Sequence, residues 1–208
     1  MQPVTPPITP ADRDLVEGFW REYIDGFILN DLENCIRLAR ANYPVALAEM
    51  CYIDFMGKLM TGVEGSPNNF KTFIKSYLPA YASDPSFTLD ELYGEFRSGL
   101  VHSYFPENID VVGVMKPLPR PPSIWREKGR WKIAVADFLD EFKKATDALK
   151  RDLLDGNYLE EFKKVVLENP GRDRIHVWPP VTDFPMTSTT VTTVSGSTVF
   201  PSTKPSEE

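Results

Sequence analysis

The chain has 208 residues, of which 42% are hydrophobic and 25% charged, enough for one well-cored domain of ordinary soluble composition. No apolar run reaches the roughly 18 residues that span a bilayer: the richest, Pro44 to Met60, is broken by Glu49, Asp54 and Lys58. A net charge of −7 argues against strong non-specific nucleic-acid binding.

That charge is uneven. Residues 1–108 carry the whole deficit, whereas residues 116–132 hold Lys116, Arg120, Arg126, Lys128, Arg130 and Lys132 against Glu127 alone. The N-terminus lacks the basic and apolar regions of a secretory signal, so a cytoplasmic location is expected. Cys35 and Cys51 are too few for a disulfide scaffold and read as buried free thiols.

In chain order, residues 1–8 are expected to be disordered. A single domain is expected over 9–180. Thr9 is placed to cap a first helix from Pro10 to about Phe27, with Pro10 at its first position and Asp12 in its first turn. Asn30 with Glu33 predicts a second helix to about Ala41. Pro44 opens a third, to about Met60, apolar over a wide arc and therefore central. Ser66-Pro67 starts a fourth, which Pro79 limits. Thr88-Leu89-Asp90-Glu91 is a capping box for a fifth, with Leu92, Phe96, Leu100 and Val101 as its buried stripe.

After Pro106 the pattern changes. Asp110 to Met115 is a β-branched run, and prolines 117, 119, 121 and 122 punctuate a crossing. Lys128-Gly129 between two short apolar-alternating runs predicts a β-hairpin over 123–133. A long amphipathic helix is expected from Val135 to Leu154, and Asn157 with Glu160 starts a last one to about Glu168. Residues 181–208, rich in Ser, Thr and Pro, are expected to be a disordered tail. The fold class expected is mainly α: an up-and-down helical bundle with a small β-hairpin insertion.

Among the candidate functional residues, Arg97 lies five positions before His102 on the fifth helix. The chain has one other histidine, His176, in a Pro-bounded segment. Imidazole moves protons near neutral pH, and guanidinium holds a phosphate and offsets its developing charge. On a straight α-helix five residues separate two side chains by roughly 140° and about 7.5 Å. Convergence on one phosphate therefore needs a turn loosened at Gly99, a His102 beyond the helix end, or two copies of the site combined across a dimer.

The stretch Leu92-Tyr93-Gly94-Glu95-Phe96-Arg97-Ser98-Gly99-Leu100-Val101-His102-Ser103 resembles the Arg-x4-6-His helix of prokaryotic HEPN-like proteins. The resemblance covers the motif and the helical pattern around it, roughly residues 10–160. It implies a helical bundle, often dimeric, and in many members a metal-independent ribonuclease. Ser98 stands where that family usually has Asn, Asp or His. The implied roles are Arg97 on the scissile phosphate, His102 as acid or base, and Ser98 and Tyr104 orienting the phosphate. The implied partners are RNA or a nucleotide and a second copy of the chain, with no cofactor and no metal.

A second candidate is the basic hairpin. Trp125 and Trp131, interleaved with Arg126, Lys128, Arg130 and Lys132, have the composition of a surface that stacks bases and holds phosphates. The same alternation also serves a hairpin whose tryptophans face a core and whose cations face water. Arg97 likewise has a plain alternative, pairing with Glu91, Glu95 or another carboxylate, with His102 capping the helix end. Glu49 and Asp54 on the apolar third helix read as partners for Arg or Lys across the bundle. The alternative for the whole chain is a non-catalytic helical interaction or scaffold protein.

Overall fold

Thr9 accepts the Asp12 backbone N–H at 3.1 Å, and the chain behind it stays helical for thirty residues. The computed structural model describes residues 8–65, 67–102, 108–112 and 123–168. Tyr104, the proline crossing, both terminal segments and His176 lie outside them, as do the side chains of Val101, His102 and Val112. The described residues belong to one compact unit, 1–175.

The first helical run joins α1 (Pro10–Phe19), a π-helical segment (Trp20–Leu29), α2 (Asn30–Asn34) and a second π segment (Cys35–Ala39). The helix break expected at Asn30 does not occur. Its backbone is helical, and its side chain accepts from Asn34 Nδ2 at 3.3 Å instead of capping a backbone N–H. The run ends ten residues later, at Arg40 in the left-handed region (φ 51°).

α3 (Asn42–Thr61) follows, beginning two residues before Pro44, which sits within its first turn where proline's missing N–H costs nothing. Val45, Ala46, Met50, Ile53, Met56, Leu59 and Met60 are all buried, so α3 is central, as its apolar arc requires. α4 (Pro67–Tyr77) crosses it so closely that a Cβ at Gly57 would stand 1.9 Å from the Asn69 carbonyl oxygen. Beside that crossing, Thr61 Oγ1 donates to Asn69 Oδ1 at 2.6 Å and Asn69 Nδ2 to the Val63 carbonyl at 2.8 Å.

A short α5 (Pro79–Ala82) precedes the fifth predicted helix. Its capping box forms as expected at Thr88 and Glu91. The helix is composite: α6 (Leu89–Leu92), a π-helical turn (Tyr93–Ser98) and α7 (Gly99–His102).

The β insertion is a three-stranded mixed sheet of order β1-β3-β2, built from β1 (Ile109–Val112), β2 (Ile124–Glu127) and β3 (Arg130–Ala134). The hairpin forms where predicted, with Lys128 (φ 51°) and Gly129 (φ 79°) supplying the positive φ angles of a two-residue turn. β1 pairs in parallel with β3, Ile109 opposite Trp131.

α8 (Val135–Leu154) matches its predicted span and buries Phe138, Phe142, Ala145, Leu149 and Leu153. α9 (Leu159–Leu167) starts from Tyr158 in the left-handed region, without a side-chain cap from Asn157. The start of β2 is tied to the bundle. Ser123 donates its backbone N–H to Tyr81 Oη at 2.9 Å and its hydroxyl to Glu141 Oε1 at 2.6 Å, while the Tyr81 hydroxyl donates to Glu141 Oε2. The fold is mainly α with a small β insertion, packed around α3, and both cysteines are free and half-buried.

The α3–α4 crossing tolerates no Cβ. Gly57→Ala is expected to lower the urea midpoint by the equivalent of about 1–3 kcal/mol or more, since the clash is with backbone. Gly94→Ala, where nothing lies within 4 Å of the added carbon, should be neutral or stabilising by up to about 1 kcal/mol.

Candidate functional site

The π-helical turn decides what the Arg97 helix offers. The Gly99 N–H bonds the Gly94 carbonyl, five residues back. Each residue of such a widened turn advances by less than the roughly 100° of an α-helix, so positions five apart come nearer to one face. Arg97 lies within the π turn and His102 closes α7, so the backbone between them is wound partly in this way.

Two groups meet the Arg97 guanidinium. Nη2 lies 3.4 Å from Asp54 Oδ2 on α3, and the guanidinium carbon stands 5.8 Å from the Tyr93 ring centroid. The pair is partly sheltered, with Arg97 31% and Asp54 12% exposed. It is also incompletely used: Arg97 Nε and Asp54 Oδ1 are both buried without a hydrogen-bond partner. Burial pushes the Asp54 carboxyl above its usual range, and Arg97 opposes that rise. The neighbouring Cys51 thiol is likewise pushed up by burial, with Arg97 pulling it down. Ser98 is half-buried on the same turn.

The Arg97 turn is held in place by aromatic packing. Tyr93 meets Phe70 of α4 edge-on at 5.4 Å, and Phe96 meets Trp131 of β3 edge-on at 5.3 Å. Phe87 also packs on Trp131, its ring tilted, at 4.9 Å.

This packing decides between the two readings of Trp131. Trp131 is 1% exposed, so its ring is a core contact and offers no face to a base. Trp125, on the opposite face of the hairpin, is half-buried beside Lys132. Three of the four hairpin cations have carboxylate partners: Arg126 lies 3.7 Å from Glu91 and over the Trp131 ring, Arg130 bonds Asp110 through two nitrogens, and Lys132 lies 2.7 Å from Glu127. Arg130 holds the Asp110 carboxyl below its usual range, as Lys132 does Glu127. Lys128 projects at the exposed turn. The hairpin thus braces the Arg97 helix through Trp131 and Arg126.

The carboxylate that meets Arg97 is neither Glu91 nor Glu95, the acids nearest in sequence. It comes from forty-three residues upstream. The available signal was Asp54 itself, an acid on an otherwise apolar helix. Glu49, read in the same way, has no cationic partner among the described residues: it is 0% exposed and neither carboxylate oxygen makes a hydrogen bond. A cavity of about 570 Å³ opens at the C-terminal ends of α3 and α9, lined by Lys58, Val63, Glu64, Lys164 and Val165. Among the described residues no group of three or more His, Cys, Asp or Glu is placed to hold a metal ion, and no helix is long and apolar enough to cross a membrane.

Comparison of the chain with protein-family models, curated proteins and solved structures gave no match.

The Arg97–Asp54 pair should couple in stability. Arg97→Met leaves a sheltered carboxylate without its counter-charge and is expected to cost about 1–3 kcal/mol, less than for a fully buried pair because Arg97 reaches solvent. Adding Asp54→Leu should return much of that loss, read as a positive interaction term in a urea double-mutant cycle.

Proposed function

We propose that this chain is a HEPN-like protein that acts on RNA through Arg97 and His102, cleaving it without a metal ion and working as a homodimer. The observation that carries the reading is the state of Arg97. It is partly exposed, oriented by a single long contact to Asp54 and by the Tyr93 ring, and mounted on a π-widened turn that leads to His102. An arginine held in this way keeps donor capacity for a phosphate while its direction is set in advance.

In the reaction, His102 takes the proton of the ribose 2′-hydroxyl as that oxygen attacks phosphorus. Arg97 balances the charge that builds on the non-bridging oxygens. The bond to the 5′-oxygen breaks, and that oxygen takes up the proton from the protonated His102, giving a 2′,3′-cyclic phosphate and a 5′-hydroxyl. Ser98 on the turn and Tyr104 beyond it are the proposed phosphate-orienting groups. Lys128 and the rim of the hairpin are the proposed outer contacts to the nucleic acid.

A second reading is favoured by the neutralised hairpin and the Arg97–Asp54 pair: a non-catalytic helical interaction protein in which both serve stability alone.

The two separate in one assay. Purified protein is incubated with end-labelled RNA in EDTA beside His102→Ala, with the fold of both checked by circular dichroism. The ribonuclease reading expects cyclic-phosphate ends from the wild type and at least about a 100-fold slower rate in the variant. RNA retention without cleavage would leave binding alone, and neither cleavage nor retention would establish the interaction protein.

A further inference from the structure

Glu49 lies in the middle of α3 with no access to water and with both carboxylate oxygens unpartnered. Packing does not call for a carboxyl there, since a methionine fills similar space without desolvating an acid.

Among the described residues no cation pairs with it. From α8 it faces Glu141, whose carboxylate is already engaged by Ser123 and Tyr81 and whose charge acts unfavourably on Glu49. On α8, Asp137 keeps one buried carboxylate oxygen without a partner; on the other elements packed against α3 the described charges are committed or exposed. Lys71 of α4 pairs with Asp90, and Lys75 is exposed. Lys143 of α8 pairs with Glu33 of α2, whose other acid, Asp31, is exposed. Lys163 of α9 pairs with Asp12 and Glu160, and Lys164 is exposed. In the π turn Arg97 pairs with Asp54 and Glu95 is exposed. In β1 Asp110 pairs with Arg130, and Arg37 of the 35–39 segment bonds Asn34.

We propose that Glu49 is a proton-operated lock between α3 and α8. With its proton the helices pack and Arg97 stays seated on Asp54, one and a half turns along the same helix; once it ionises, α3 loosens and the Arg97–Asp54 contact weakens. Burial and the Glu141 charge both hold the Glu49 carboxyl well above its usual range. Its contribution to stability is therefore complete below the pH at which it titrates in the unfolded chain, and declines as pH rises toward its folded value. The device is a core that weakens toward alkaline pH, and it does not depend on whether the Arg97 site cleaves RNA.

The test is urea unfolding of the wild type, Glu49→Gln and Glu49→Met between pH 5 and 9, with the Arg97 Nε–H resonance followed in the folded proteins. The wild type should lose stability relative to both variants as pH rises, by up to about tenfold in folding equilibrium constant per pH unit until Glu49 ionises in the folded state. The Arg97 resonance should follow Asp54 and its other neighbours in both proteins and show, in the wild type, an additional pH-dependent shift that is absent from Glu49→Met. Other titrating groups cancel in the comparison, and the Met variant serves if the Gln variant does not fold. Parallel stability profiles overturn the lock; a diverging profile with an Arg97 resonance that behaves alike in wild type and variant overturns its link to the site.

Discussion

Burial of α3 is the constraint to which the rest of the structure answers. A helix surrounded by other elements must hand each of its polar groups a partner or keep it uncharged. Thr61 meets Asn69, and Asp54 meets Arg97. Glu49 meets no hydrogen-bond partner, and burial drives its carboxyl toward the neutral form. The same crowding leaves no room for a side chain at Gly57, where α4 passes backbone to helix.

The β insertion makes sense from the same standpoint. A three-stranded sheet this small gains little stability alone. Here Trp131 is clasped by Phe87 and Phe96, and Ser123 is tied to Tyr81 and Glu141, so the sheet is an outer buttress of the bundle. Because Phe96 precedes Arg97 and Arg126 reaches Glu91, the sheet also sets the position of the turn that presents Arg97. Among the described residues, three cations that look in sequence like a nucleic-acid surface, Arg126, Arg130 and Lys132, are spent on carboxylates of the protein itself.

The Arg97 turn combines two devices. The π winding brings positions five apart closer to one face, and the Asp54 contact directs the guanidinium while leaving part of it in solvent. A site of this kind acts on an anion through its free donors, or serves as a bundle clasp if none arrives. Which occurs depends on His102 and on what meets it, and the RNA assay with His102→Ala addresses that directly.

The sequence by itself determined what local chemistry controls. Thr9 and the Thr88–Glu91 box announced two helix starts, Lys128-Gly129 the hairpin turn, and the 3.6-residue apolar spacing the whole of α8. These signals act within a few residues, so they survive without knowledge of neighbours. Tertiary structure alone decided the rest. Asn30 was free to cap a helix, yet the chain ran on through it, because burying Ile24, Ile28, Leu29 and Leu32 along one continuous face outweighs one capping bond. Alternation placed Trp131 on one face of a strand, but only Phe87 and Phe96 made that face the core. Arg97 had acids close by in sequence; the partner it took was Asp54, a largely sheltered acid on α3 whose charge needed an opposite one.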